Sequence, residues 1–483
     1  MIGIFAIVIA LALLIYLAYR GISLLILAPA LSALVALLSV ETPLLASYTQ
    51  VFMGAAGDFI ARYFPLFLLG AIFGKLMEDS GSAEVLAQAV VRHLGEARAI
   101  LAVVLSCAIM TYGGVSLFVV AFAVYPIAAA LFQQSSLPKR LIPGTIALGA
   151  FTFTMTALPG TPAIQNAIPM PYFGTTPFAA PGLGILTGLL MLVLGQAWLN
   201  YRAGQARATG ERYGDHGGDN LNIDKSLREL ASREGFDPVE VPAEEAPRGL
   251  PPLPLAILPI VLVIVLNLLF TALVIPAMDT DYLAEPQYGA ISIDAVRGVW
   301  SVIAALVISI VVLIVTHLRR LPKLTATLDS GANAALLPIF NTASLVGFGS
   351  VIASLAAFET ISAWITAVGG DNPLISLAIA VNVLAGMTGS ASGGMSIALA
   401  TLGDTYMAMG RAMGISPELM HRVTAVSTGG LDALPHNGAV ITLLSICGLT
   451  HRQAYLDIAV VAVLVPILSL VFLITAGTFI GTF

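Results

Sequence analysis

The chain has 483 residues, of which 58% are hydrophobic and 10% charged, and its mean hydropathy is +0.95. This composition excludes a soluble globular protein and points to a polytopic membrane protein. The formal net charge is −6, and the basic residues are scattered through loops without forming a patch, which excludes nucleic acid as a partner.

Residues 1–18 are apolar, have no basic stretch before them and are followed by Arg20. That is the reverse of a secretory signal, so a retained membrane helix with its N-terminus outside is predicted. A second span follows at 22–40. Residues 44–58 are too polar and too short to cross and are predicted to form an interfacial or partly buried helix, with a third span at about 64–77. Glu78, Asp79, Arg92, His93, Glu96 and Arg98 then gather on the cytoplasmic side. Leu86, Val90 and Leu94 recur at i+4 there and Gly95 closes the run, which predicts an amphipathic surface helix. The apolar segment 99–132 is interrupted at Thr111 to Gly114. Arg98 before it and Lys139 and Arg140 after it put both ends in the cytoplasm if its arms form a re-entrant hairpin. Segment 141–168 crosses outward with a break at 156–162, the Pro-rich loop 169–181 is external, and 182–199 crosses back.

Residues 201–250 are rich in charge, Gly and Pro and read as a cytoplasmic linker between membrane repeat 1 (1–200) and membrane repeat 2 (251–483). Spans at about 254–275 and 299–316 flank an external acidic loop with Asp279, Asp281 and Glu285. His317, Arg319, Arg320 and Lys323 mark the next cytoplasmic turn. A span at 334–354, a second surface helix, a second hairpin at about 373–409, a second broken helix at about 420–449 and a final span at 454–474 complete the chain. Repeat 2 starts in the cytoplasm and repeat 1 outside. The fold class is therefore an all-α polytopic membrane protein of two inverted-topology repeats, each with a re-entrant hairpin and a broken transmembrane helix. A bacterial-type cytoplasmic (inner) membrane with both termini external is expected. Cys107 and Cys447 lie in apolar runs without ligand-spaced neighbours and read as buried small residues.

Two elements recur in the same order in both halves. One is Tyr112, Gly113, Gly114, Val115 and Ser116, repeated as Ser392, Gly393, Gly394, Met395 and Ser396. The other is Ala157 to Ala163 with Pro159, Gly160, Thr161 and Pro162, repeated as Ala433 to Ala439 with Pro435, His436 and Asn437. Proline removes a helix hydrogen bond and glycine loosens the backbone, so these are where a membrane helix comes apart. Freed backbone groups are tolerated at that depth only inside protein or against a polar cavity. Thr111, Tyr112, Gly113, Gly114, Ser116, Thr161 and Gln165 in the first half, and Ser390, Ser392, Gly393, Gly394, Ser396 and Asn437 in the second, are the candidate substrate contacts. A helix start beside them offers N–H groups and a positive dipole end to a carboxylate. Asp432 and His436 stand where the first copy has Thr156 and Gly160. Ionisable groups at that depth are usually functional, and both are candidate proton carriers. No basic residue stands near the motifs in the sequence, which favours a small singly charged acid.

At these motifs the sequence resembles the gluconate:proton symporter family, within the ion-transporter superfamily of hairpin-containing carriers. The resemblance rests on Gly74, Lys75, Leu76 and Met77, on Tyr112 to Ser116, on Ala157 to Pro162 and on Asp432 to Asn437. It covers most of both membrane halves. It implies proton-coupled import of a small organic monocarboxylate, a sugar acid or a short hydroxy acid such as gluconate or 3-hydroxybutyrate, with no cofactor and no catalysis. Sodium coupling, a passive channel and an intramembrane hydrolase are the alternatives the residues leave open. The expected partners are the small anion and membrane lipid, with a homodimer left open.

Overall fold

A computed structural model describes all residues except 1, 21, 40, 41, 116, 217–248, 369 and 371. The candidate contact Ser116 and most of the linker therefore lie outside the described residues. Helices account for the regular structure throughout the described residues. In the first half they are α1 (Ile2–Tyr19), α2 (Leu24–Leu38), α3 (Leu44–Asp79), α4 (Ser82–Leu94), α5 (Ala99–Tyr112), α6 (Leu117–Gln134), α7 (Leu141–Ala150), α8 (Phe153–Thr156), α9 (Ile164–Ala167), α10 (Pro169–Phe173) and α11 (Pro181–Thr209). The second half has α12 (Leu253–Ala277), α13 (Ile293–Arg320), α14 (Leu324–Ala353), α15 (Ala356–Val368), α16 (Pro373–Thr388), α17 (Ala391–Ala412), α18 (Pro417–Ser427), α19 (Gly438–Ile446) and α20 (His451–Ile480). Six of these are long and apolar enough to cross a bilayer, and the bent pairs α4–α5 (104°) and α15–α16 (118°) would bring the number to eight. Phe5, Leu37, Val193, Leu273, Val315 and Val471 are among the large apolar side chains left exposed on these helices. An apolar exterior is what lipid selects.

The predicted interfacial helix at 44–58 and the third span at 64–77 are one 36-residue helix, α3, which runs through Pro65. The polar residues did not interrupt it because they share one face. Ala56, Phe59, Tyr63 and Leu66 are buried at i+3 and i+4 spacing, while Asp58 and Arg62 are exposed opposite them. Alongside lies α14, also longer than predicted. Thr327 Oγ1 donates to Asp79 Oδ2 (2.6 Å), Gly331 meets the backbone of Ile72 and Gly347 meets Phe52, so the two helices run antiparallel. Either glycine's missing Cβ is what permits the approach, since an added one would lie 2.8 Å from the neighbouring backbone.

The predicted surface helix α4 ends at Gly95 (φ +71°), a conformation glycine adopts at little cost. Its Ser82, Ala83, Leu86 and Ala87 are buried, and it packs on α5 and α12. At the other end of the hairpin region Arg140, expected in a cytoplasmic loop, is bound into a charged cluster. It donates to Glu211 (2.6 and 2.9 Å) and to Asp457 (3.1 Å), which also accepts from Arg202 Nε (2.8 Å) and Trp198 Nε1 (3.1 Å). Asp457 is fully buried, and the cluster fastens the start of α7 and the end of α11 to α20.

Candidate functional site

Both predicted breaks are present. α7 ends at Ala150 and α8 at Thr156, and the chain resumes as α9, while α18 ends at Ser427 and resumes as α19 after a single turn at Leu431–Ala433. Asn437 caps α19: its Oδ1 accepts from the N–H groups of Ala439 (2.6 Å) and Val440 (3.3 Å), and its Nδ2 donates to Gly389 O (2.6 Å) at the α16–α17 turn. Ser390 caps α17 in the same way, accepting from Gly393 N–H (3.1 Å). Helix starts leave N–H groups that the helix itself cannot satisfy. Those of Ala391, Ser392 and Gly438 belong to residues that line one cavity, so the positive ends of two helices face the same space.

That cavity has a volume of about 220 Å³. Its polar lining is Gln165 from the first half and Asn341, Thr342, Thr388, Ser390, Ser392, Asp432 and Asn437 from the second, and its apolar walls include Phe67, Leu117, Phe151, Met155 and Leu345. A line of hydroxyls runs from Thr342 Oγ1 to Ser392 Oγ (3.4 Å) and on to Ser390 Oγ (3.5 Å). The carboxylate of Asp432 lies by the backbone N–H groups of Asp432 and Ala433. No Lys, Arg or His is among the lining residues.

Of the sequence-predicted contacts, the cavity brings together Gln165, Ser390, Ser392, Asp432 and Asn437. The others among the described residues sit elsewhere. Tyr112 donates its hydroxyl to Pro159 O (2.6 Å), and Gly114 (φ +93°) packs on Pro162, so the first hairpin turn is seated on the first break. Gly113 lies against Ile260, and Thr111 is buried at the end of α5. Thr161 is buried and accepts from Ala163 N–H (3.3 Å), a bond within the break and not a cap of α9. Gly160 (φ +81°) donates its N–H to Pro177 O (2.8 Å) and accepts from Asn267 Nδ2 (3.1 Å). His436 is turned to Gly386 O (3.0 Å), and Pro435 O accepts from His451 Nε2 (2.8 Å). The two Gly-Gly pairs occupy different places: Gly113 and Gly114 lie between helices, whereas Gly393 and Gly394 are inside the first turn of α17. There Gly394 lets the backbone of Ala385 come so close that any Cβ would overlap it. Ser396 is buried farther along the same helix.

The expectation that no basic residue stands near the motifs is corrected at the first break. Arg422 of α18 is fully buried and donates to Thr156 O (3.3 Å), Asn166 Oδ1 (3.1 Å) and Ala179 O (2.7 and 3.1 Å). Beside it His421, also fully buried, pairs with Thr175 Oγ1 (2.6 Å) and Asn166 Oδ1 (3.2 Å). The amide oxygen can only accept, so the ring nitrogen facing it carries the proton. Two adjacent ionisable residues inside the apolar run of a predicted broken helix were the available sequence signal.

A Bacillus subtilis (strain 168) protein described as the uncharacterized transporter YxjC is 44% identical to this chain over 458 residues, 94% of each sequence. The chain belongs to the YxjC transporter family. It is a multi-pass membrane protein of that family, and no protein-family model matches it. The Alcanivorax borkumensis YdaH transporter shares the fold at a TM-score of 0.55 and 16% identity, with 98% of both chains covered. So does Neisseria gonorrhoeae MtrF, described within a class of antimetabolite efflux pumps, at 0.52 and 14%, over 90% of this chain and 84% of that one.

Proposed function

We propose that the protein is a secondary active transporter of the gluconate:proton symporter type, importing a small organic monocarboxylate together with a proton across a bacterial-type cytoplasmic membrane. The observation that carries this reading is the cavity between the halves, where two helix N-termini, a row of hydroxyls and one carboxylate converge. The helix ends and hydroxyls supply what a bound carboxylate needs without an arginine. Asp432 supplies the coupling. An ionised Asp432 repels a substrate carboxylate in the same small space, and a protonated one does not. Binding of the anion therefore requires a proton on Asp432, and the two cross together. The antiparallel run of α3 and α14, which hold corresponding places in the two halves, supports an inverted repeat around this cavity. His436, bonded to a carbonyl away from the cavity lining, is left as a brace of the break.

Volume bears on the substrate. At about 220 Å³ the cavity is smaller than the roughly 300–1,000 Å³ usual for drug-sized ligands. A short hydroxy acid such as 3-hydroxybutyrate fits that space better than a six-carbon sugar acid. Uptake into proteoliposomes of a panel of labelled two- to six-carbon acids tests the reading. Accumulation of a short hydroxy acid under an inward proton gradient, unchanged when choline replaces sodium, is expected. A sodium requirement, equilibration without accumulation, or chemical conversion of the acid would each overturn it.

A further inference from the structure

We propose that Arg422 is a positioning residue that holds Gln165 in the cavity and ties it to the chain segment bearing Asp432; the inference rests on the cavity being the binding site. Gln165 is the single polar side chain that the first half contributes to the described lining. It sits on α9, a four-residue turn with Pro162 before it and Pro169 after it. One turn has no stability of its own, so its orientation must be imposed from outside.

Asn166 imposes it. Its Nδ2 donates to Thr161 O (3.0 Å) and Pro177 O (2.9 Å), and its Oδ1 accepts from both Arg422 Nη1 and His421 Nε2, so every group of the buried amide is engaged. Successive helical residues diverge by about 100°. With Asn166 held toward α18, Gln165 is presented to the cavity. The remaining donors of Arg422 grip Thr156 O on the entry side of the break and Ala179 O in the loop beyond it. One planar guanidinium thus fixes both sides of the turn that carries Gln165. α18 leads directly into the Leu431–Ala433 turn that holds Asp432. Lysine keeps the charge and loses the fork.

The test is a double-mutant cycle on the KM for 3-hydroxybutyrate uptake, using the full-length protein in proteoliposomes. Arg422→Lys and Gln165→Ala should each raise KM about tenfold, the loss of about one hydrogen bond to a charged group, and should change KM more than kcat. The double variant should be no worse than the worse single one, because Arg422 acts through Gln165. KM effects that multiply, or an Arg422→Lys effect confined to kcat, would overturn the proposal. Asn166→Ala, which leaves every charge in place, must show the same non-additivity with Gln165→Ala, and this holds the proposal open to refutation if Arg422→Lys fails to assemble. Normal wild-type uptake with an unchanged KM in Gln165→Ala overturns this inference alone, whereas a wild type that takes up no small acid overturns the proposed function with it.

Discussion

The two breaks follow the same chain path and are held in opposite ways. The first is knitted across the halves: Tyr112 takes Pro159 O, while Asn267 and Arg422 of the second half take Gly160 O and Thr156 O. The second takes side-chain hydrogen bonds from its own half. Tyr455 takes Ala433 O, His451 takes Pro435 O, and Asn382 takes Leu431 N–H. Its free side, with Asp432 and Asn437, opens on the cavity. The chain has two sites where helices are interrupted at Pro-containing stretches and backbone polar groups are released. At the first break the carbonyls of Thr156, Pro159, Gly160 and Thr161 are each taken by a side-chain donor, whereas the second turns Asp432 and Asn437 to the cavity. Of the first break, Gln165 alone contributes a polar side chain to the cavity, which is why its orientation matters.

This contrast can be broken most forcefully at Arg422. Arg422→Met withdraws donors from Thr156, Asn166 and Ala179 at once. Asn166 Oδ1 keeps its bond from His421, and leaving the two buried carbonyls of Thr156 and Ala179 unsatisfied costs about 1–3 kcal/mol for each group, so a loss of at least about 2 kcal/mol is expected, read as a large drop in Tm in detergent and in the folded fraction reaching the membrane. A Tm within a degree or two of wild type would show that the first break is not held from across the halves. Asn437→Ala and Thr161→Ala sharpen the comparison, because the two residues hold corresponding places and each accepts from the backbone N–H two residues on, Asn437 as a helix cap and Thr161 within the break. Each should cost about 1 kcal/mol, as a lost cap at Asn437 and as a lost hydrogen bond at Thr161, but only the Asn437 variant should also raise the KM for uptake, since only Asn437 lines the cavity. Equal KM values in the two would erase the functional difference between the breaks. The smallest effect belongs to Tyr455→Phe, which removes a single hydrogen bond to Ala433 O (3.1 Å). A cost of about 0.5–1.5 kcal/mol is expected, measured by thermal unfolding, and a loss as large as that of Arg422→Met would mean that the second break is braced as firmly as the first.

Much of the helix order could be read from periodicity and punctuation. Apolar runs, Gly95 as a helix stop and the doubled Pro-Gly segments are local signals, and the chain obeys them. What could not be read depends on pairing across the molecule. Residues 44–58 read as an interfacial helix separate from the span at 64–77 because nothing in the chain says that one face of α3 packs while the other is exposed. The Gly-Gly pairs look alike in sequence, yet the pair at 113–114 makes a turn and the pair at 393–394 makes a helix contact, a difference set by where Ser390 caps α17. Asp432 was legible as a candidate from its depth alone. Arg422 was equally deep and equally unusual for the membrane, but its partners at Thr156, Asn166 and Ala179 lie in the other half of the sequence, where no short motif points to them.

The most direct measurement compares wild type with Asp432→Asn in the same proteoliposomes, following labelled 3-hydroxybutyrate under an inward proton gradient and, separately, its exchange against unlabelled acid at equal pH. A permanently neutral side chain at this position admits the anion without carrying a proton. The expected result is exchange close to wild type and no gradient-driven accumulation. Accumulation by the Asn variant at the wild-type level would contradict the assignment of the coupling proton to the cavity.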